Sequence, residues 1–394
     1  MEASAEKDAP LTGRRIWFIG IGGAGLSAYA QLARAWGAEV GGWDRVETPY
    51  LDHLDGVPVT ISPKPEAPPG WEVVVSSAFH HPGRSRGDLL AELVSLRDAI
   101  VVAGTHGKGT TAAMIAYVLH ETGRDPAYLI GATVPQLGGN AAAGSGWLVV
   151  EGDESDRTVA ALRPAIAVVT NLELDHHTTF ASLAELEQLF DDWLAHVPRV
   201  VRNAEPADFQ LALPGEHNRR NAGAALAALE LAGVRRDEAA RALATFRGSV
   251  RRFEITERAG LTIVDDYAHH PTEIAVTLAA ARERWPGRRL LVLFQPHLYS
   301  RTRHLARELG HALAEADSVA VTDVYPAREA PMPGVTGRHV VDALSDRGRL
   351  PAWTPTVEAG VEHLLRLARD GDVLLTIGAG DVDRAPALIA ERLA

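Results

Sequence analysis

"AGTHGKGTT" (residues 103–111) follows the apolar run "AIVV" and precedes "AAMIAYVLHETG", so a buried strand, a glycine turn and a helix come in succession. A phosphate loop is made of such parts: backbone N–H groups presented by glycines, a lysine, and hydroxyls at the helix start for a cation. The common form, G-x-x-x-x-G-K-[ST], has four residues between its glycines and a hydroxyl directly after its lysine. Here only Thr105 and His106 separate Gly104 from Gly107, and Gly109 stands between Lys108 and the hydroxyls of Thr110 and Thr111. An ordinary glycine turn with a surface lysine has no need of three threonines crowded around it. Nucleotide binding is the expected role.

Upstream, "RRIWFIG", "IGGAG", "LSAYAQLARAWG" and "AEVGGWD" repeat the order strand, turn, helix, strand. Residues 20–25, "GIGGAG", satisfy G-x-G-x-x-G directly after a strand, and Asp44 ends the next strand at about the spacing of a ribose-binding acid. From the residues alone this is a dinucleotide-type turn with a pyrophosphate on a helix N-terminus, or a tight turn using glycine only for packing. Downstream, the apolar runs "WLVV" and "AIAVV" lead into "EGDESD" (residues 151–156) and "DHH" (residues 175–177). Magnesium takes hard oxygen ligands, so two such clusters beside a phosphate loop point to a metal site rather than to solvated loops. "HHP" at residues 80–82 has no such setting and reads as a loop. The last third alternates again, with strands in "LTIVDDYAHHP", "RRLLVLFQPH", "DSVAVTDVY" and "DVLLTIGAGD". Such alternation predicts parallel sheets that bind ligands at strand C-termini. Domain boundaries are expected near residues 97 and 248, giving domains 1–97, 98–247 and 248–394.

A chain of 394 residues exceeds one typical core, and 46% hydrophobic with 23% charged residues is ordinary for a globular protein. The absence of cysteine removes disulfides, thiolate metal sites and cysteine nucleophiles. A net charge of −12 argues against non-specific nucleic-acid binding, while leaving local cations such as Lys108 for small anions. No apolar run approaches the length of a membrane span, and "MEASAEKDAP" lacks the basic start and apolar stretch of a secretory signal. A cytoplasmic location is expected, with neither membrane nor nucleic acid as a partner.

In chain order, "GIGGAGLS", "SSA", "AGTHGK", "EGDESD", "VVTNLELDHH", "PGEHNRRNA", "RRFE", "DDYAHHPTEI", "FQPHLYSRT" and "GAGD" resemble the motif series of the Mur ligases. These are ATP-dependent amide-forming enzymes of peptidoglycan precursor synthesis. The likeness spans nearly the whole chain and is greatest to the members that join L-alanine to UDP-N-acetylmuramate. It implies three α/β domains: a Rossmann-like UDP-binding domain, a P-loop ATPase-like central domain for ATP and Mg2+, and a C-terminal Rossmann-like domain for the amino acid. On this resemblance the first glycine turn serves UDP rather than a dinucleotide, and Gly22, Gly23, Ser27, Asp44, Ser76 and Ser77 fall in segments that contact the UDP-sugar. Gly104, Thr105, His106, Gly107, Lys108, Gly109 and Thr110 cradle the ATP phosphates, while His217, Asn218 and Asn221 match adenine-side contacts. Glu154 and His176 match magnesium-associated positions, and Arg252 an arginine that approaches the γ-phosphate. Lys108, Glu154, His176 and Arg252 form the implied catalytic set, and His269, His297 and Arg301 the amino-acid pocket.

The short G-T-H-G-K spacing is that of the Mur loop. Glycine after the lysine resembles instead the related folylpolyglutamate synthases, and by that analogy Thr110 takes the metal-facing role. "VTISPKP" replaces a Gly-His pair, His81, Pro82 and Gly83 replace Asn-Pro-Glu, and Leu298 stands where an arginine is expected after His297. Three other readings stay open: a sister ligase for another amino acid or a peptide, a ligase-derived nucleotide-binding protein without turnover, and an NAD-dependent dehydrogenase built on "GIGGAG" and Asp44.

Overall fold

Five strands, β1 (Arg15–Ile19), β2 (Glu39–Asp44), β3 (Val59–Ile61), β4 (Glu72–Val75) and β5 (Arg84–Ser85), form an all-parallel sheet in the order β3-β2-β1-β4-β5. The computed structural model describes residues 9–76, 78–175, 179–327 and 329–393. Helix α1 (Ala24–Ala35) follows β1 through the glycine turn, and α2 (Arg86–Ser95) follows β5. The sequence of β2, "EVGGWD", is set by close packing. A Cβ on Gly41 would stand 2.5 Å from the Trp17 ring, and one on Gly42 would stand 2.6 Å from Ile21 Cδ1.

The second sheet contains β6 (Ala99–Ala103), β7 (Ala127–Val134), β8 (Gly139–Ala143), β9 (Leu148–Glu151), β10 (Ile166–Val169) and β11 (Val200–Arg202), ordered β11-β10-β6-β9-β7-β8. Its pairings are parallel except the β7–β8 hairpin. Strand β6 is central and wholly buried, as "AIVVA" dictates. Helix α3 (Lys108–Glu121) is buried at every position from Thr111 to Leu119, so it is apolar all round rather than on one stripe. The phosphate-type turn joins β6 to α3, at the C-terminal end of the central strand, where parallel sheets bind ligands.

The third sheet is ordered β12-β13-β17-β14-β15-β16: β12 (Glu254–Arg258), β13 (Leu261–Asp266), β14 (Leu290–Phe294), β15 (Ser318–Val321), β16 (Ala352–Trp353) and β17 (Val373–Ile377). Only β12–β13 is antiparallel, turning through Ala259 and Gly260, both at positive φ, as a two-residue hairpin requires. Alternation along each strand supplies two cores. Val264, Val292, Phe294 and Leu375 face one side, while Ile263, Leu291, Leu293 and Leu374 face the other.

The chain forms two compact units. The first comprises residues 1–174, 182–211 and 220–247, with the first two sheets; the second comprises residues 175–181, 212–219 and 248–394, with the third. Among the described residues no helix is long and apolar enough to cross a membrane.

Candidate active site

Two glycine conformations shape the loop between β6 and α3. Gly104 has φ +128° and Gly107 φ +80°; a Cβ at the first would collide with Thr170 Oγ1 and at the second with Asn221 Oδ1. Residues just past β10 hold the loop in place. His106 N donates to Asn171 Oδ1 (2.9 Å), while Asn171 Nδ2 and Thr170 Oγ1 donate to His106 O (2.9 and 2.6 Å). Thr105 Oγ1 donates to Glu173 O (2.9 Å) and accepts from Glu173 N (2.8 Å). Lys108 Nζ folds over the loop onto Gly104 O (2.6 Å), Thr105 O (3.1 Å) and Glu154 Oε1 (3.0 Å). Burial opposes the lysine's charge, but the carboxylates of Glu154, Asp153 and Glu151 outweigh it and raise the pKa above its ordinary value. Thr110 is half-buried in the first turn of α3, and Thr111 is wholly buried.

The glycine at 109 has a physical reason. Glu151 turns back to accept from Gly131 N (2.5 Å), and a Cβ on Gly109 would stand 3.2 Å from its Oε1. The acids of "EGDESD" are therefore divided. Glu154, 1% exposed, faces Lys108, while Asp153 Oδ2 and Asp156 Oδ2 accept from Arg86 Nη2 at 2.5 and 3.0 Å. Burial works against the charge of Asp153, yet Arg86 and the Ser155 N–H and hydroxyl hold its carboxyl below the usual range. Sequence reasoning missed Arg86, whose partners lie about seventy positions away. The glycine cradle, the protonated lysine, the Thr110 hydroxyl and the buried Glu154 carboxylate form a hard-donor set that fits a triphosphate with magnesium. His176 and Ser77, also expected in binding roles, lie outside the described residues.

At the first glycine turn, Gly22 N donates to Asp44 Oδ2 (2.7 Å), Arg45 N donates to Asp44 Oδ1 (2.6 Å) and Thr48 Oγ1 donates to Gly22 O (2.6 Å). The buried Asp44 carboxylate thus braces the turn's own backbone, which weakens the dehydrogenase reading that wanted it on a ribose. Gly20 has φ +89°, and the Phe79 ring would stand 2.8 Å from a Cβ there. Gly23 caps α1, Ser27 is buried in that helix, and Ser76 Oγ accepts from Ala78 N (3.3 Å) just past β4.

In the second unit His269, His297 and Arg301 lie together. The His269 and His297 rings meet edge to face at 5.6 Å, and His297 stacks on Tyr325. Arg301, 5% exposed, is bound bidentately by Asp175 (Nε to Oδ1 2.9 Å, Nη2 to Oδ2 3.0 Å), and its Nη1 donates to His297 Nδ1 (3.1 Å). Asp175, read in the sequence as part of a metal cluster, is here the partner of that arginine. Leu298 sits at φ +69°, strained for a leucine, and starts helix α8 (Tyr299–Leu313). His269 Nδ1 lies 3.0 Å from Tyr267 O, and burial pushes the ring's pKa down to about 4 against the pull of Glu273.

The motif "HHPTE" opens helix α7 (Pro271–Arg284). His270 is the N-cap, Pro271 fills the first turn, and Glu273 Oε2 accepts from His269 N (3.0 Å) and His270 N (3.3 Å). Arg252 lies over the Tyr267 ring at 4.9 Å, whereas Arg251 is taken by Asp265 Oδ2 (2.9 Å) and Gly378 O (2.7 Å). His217 is half-buried, its Nδ1 buried with no hydrogen-bond partner among the described residues, and desolvation and Arg252 push its pKa down to about 4. The segment "PGEHNRRNA" is shared between the units. His217 and Asn218, whose Nδ2 donates to Pro214 O (2.7 Å), belong to the second; Asn221, beside Gly107, belongs to the first. It runs through the start of helix α5 (Glu216–Leu231), after α4 (Leu183–Leu194) and before α6 (Arg236–Leu243).

Two family profiles match the chain: "Mur ligase middle domain" over residues 102–199 and "Mur ligase, glutamate ligase domain" over residues 251–380. A UDP-N-acetylmuramate–L-alanine ligase of Renibacterium salmoninarum is 39% identical, with 96% of each chain covered. One from Streptomyces coelicolor is 37% identical, covering 95% of this chain and 96% of the relative. Among solved structures, the UDP-N-acetylmuramate-alanine ligase of Thermotoga maritima is similar at TM-score 0.79 and 26% identity, covering 96% of this chain and 98% of that one.

Proposed function

The chain belongs to the Mur ligase family, and on that premise we propose that it joins L-alanine to UDP-N-acetylmuramate at the expense of ATP, in peptidoglycan precursor synthesis. The observation that carries the reading is the Lys108–Glu154 phosphate loop and the His269–His297–Arg301 cluster in one chain, matched over nearly its whole length by ligases of that name. In the proposed arrangement residues 1–97 hold the UDP-sugar, 98–247 hold ATP and 248–394 bring the amino acid.

The sugar's carboxylate attacks the γ-phosphate, releasing ADP and leaving an acyl phosphate. The amine then attacks the carbonyl, phosphate departs, and the amine gives up a proton as the amide forms. Lys108 leaves the loop carbonyls for the β- and γ-phosphates, and the backbone N–H groups at the start of α3 receive the phosphate oxygens. Thr110, Glu154 and His176 would hold magnesium, which when bound would neutralise phosphate charge. Arg252 adds charge to the transferring phosphoryl group.

The two pocket histidines carry opposite tautomers. A carbonyl faces His269 Nδ1, so that nitrogen bears the proton and Nε2 keeps a lone pair able to accept from the substrate amine. A guanidinium faces His297 Nδ1, so its Nε2 bears the proton and can donate to the substrate carboxylate. An isotope experiment tests the acyl phosphate. UDP-N-acetylmuramate labelled with 18O in its carboxylate should give released phosphate carrying one 18O. Unlabelled phosphate would reject this mechanism.

A further inference from the structure

Arg86 opens α2, beyond the edge strand of the first sheet, and the ligase reading gives it no task. Its guanidinium stands between the first glycine turn and the acid loop. Through Nη2 it clamps Asp153 and Asp156, which flank Glu154 on the acid loop. Nη1 is 3.8 Å from the position of a Cβ on Gly25, the last glycine of "GIGGAG". Its Nε is buried with no hydrogen-bond partner among the described residues, so a donor is still open. The next residue brings the backbone closer still: a Cβ on Gly87 would stand 2.6 Å from Thr158 Oγ1, just past the acid loop. Thr158 N in turn donates to Asp156 Oδ1 (3.1 Å), and Ser155 N to Asp153 Oδ1 (2.9 Å), so the acids Arg86 holds also set the loop's backbone.

Charge makes this contact consequential. Asp153 acts on both Lys108 and Arg86, Glu154 and Glu151 act on Lys108, and Asp156 acts on Arg86. With Arg86 engaged, Lys108 answers chiefly to Glu154. With Arg86 withdrawn, Asp153 and Asp156 add their negative potential where a triphosphate must enter. We propose that Arg86 is a positioning residue that couples the two nucleotide sites of the first unit, an anion at the Gly25 turn tightening its hold on the acid loop and so favouring ATP beside Lys108. A guanidinium has donors enough to serve the acids and an anion together, so the coupling is positive.

This inference rests on the ligase reading for what fills the two sites. By reciprocity the coupling is measurable from either ligand. Calorimetric titration with UDP-N-acetylmuramate, without and with saturating magnesium and the non-hydrolysable ATP analogue AMPPNP, should show about tenfold tighter binding in the natural protein when the analogue is present. The ratio should fall to one in Arg86→Gln, recover in part in Arg86→Lys, and fall also in Asp156→Asn, which loosens the clamp from its other side. Each variant should still bind each nucleotide alone. A ratio of one in the natural protein, or an undiminished ratio in folded Arg86→Gln or Asp156→Asn, overturns the proposal and leaves the ligase reading standing. A natural protein that binds neither nucleotide sinks both.

Discussion

Gly107 and Gly109 lie two positions apart and are glycine for different reasons. Gly107 is left-handed and pressed by Asn221, so Gly107→Ala is strained twice, by backbone and by contact. It should cost about 1–3 kcal/mol of stability and nearly all turnover, read by urea melts and by phosphate release. Gly109→Ala meets only the end of the Glu151 carboxylate at 3.2 Å, which can give way, so KM for ATP should stay within a few-fold. Equal damage from both would show the loop geometry to be wrong. At Arg301 the pair with Asp175 adds a second consequence. Arg301→Ala removes the bidentate partner of a buried carboxylate, so it should cost about 3–5 kcal/mol besides abolishing activity. Asp175→Asn in the same chain should restore most of the stability and none of the activity. Leu298→Arg should lower KM for L-alanine by supplying a carboxylate partner; an unchanged KM would place that carboxylate elsewhere. Lys108, Glu154, His269 and His297 are picked out by motif order. Arg86 and the role of Asp175 were not, because each depends on a partner far away in sequence and on which carboxylate reaches it first.

At the scale of elements, strand–helix alternation was legible because buried parallel strands are short unbroken apolar runs. The β7–β8 hairpin was not, because "GNAAA" has none of the β-branched or aromatic residues that mark a strand. "HHPTE" reads as chemistry in the sequence and is a helix start in the structure, His270 and Glu273 forming the cap beside the pocket histidine His269. The third sheet's surroundings also fix a pH response. His217 and His269 are held near about 4, against an ordinary 6.5, so both are neutral at pH 7. As pH falls from 6.5 towards 4 the unfolded chain takes up two protons that the folded one refuses, and stability present above 6.5 is lost. Asp266, pushed by burial from 3.8 up to about 6, has the opposite sign: the folded form keeps a proton over nearly the same window. Two less one leaves one proton, a loss of about 1.4 kcal/mol per pH unit from these groups. His217→Asn should flatten that slope in urea melts between pH 6.5 and 4.5. A slope unchanged by the substitution would mean that the fold does not hold His217 neutral.

At the scale of the whole molecule, length and alternation predicted several parallel sheets; the described residues form three, one all-parallel and two each with one antiparallel pair. The grouping of the first two in one compact unit was not legible, since it depends on contacts such as Arg86 with the acid loop rather than on any linker composition. Lys108→Ala should abolish ATP turnover while leaving calorimetric binding of UDP-N-acetylmuramate within a few-fold, because the two glycine turns belong to different sheets; loss of sugar binding in the folded variant would contradict that assignment. The central claim is that all three substrates are consumed together. Phosphate release, followed with ATP, magnesium, UDP-N-acetylmuramate and each amino acid in turn, tests it directly. Release is expected only when the UDP-sugar and an amino acid are both present, fastest with L-alanine. Release without the UDP-sugar, or none above background with any amino acid, would contradict it.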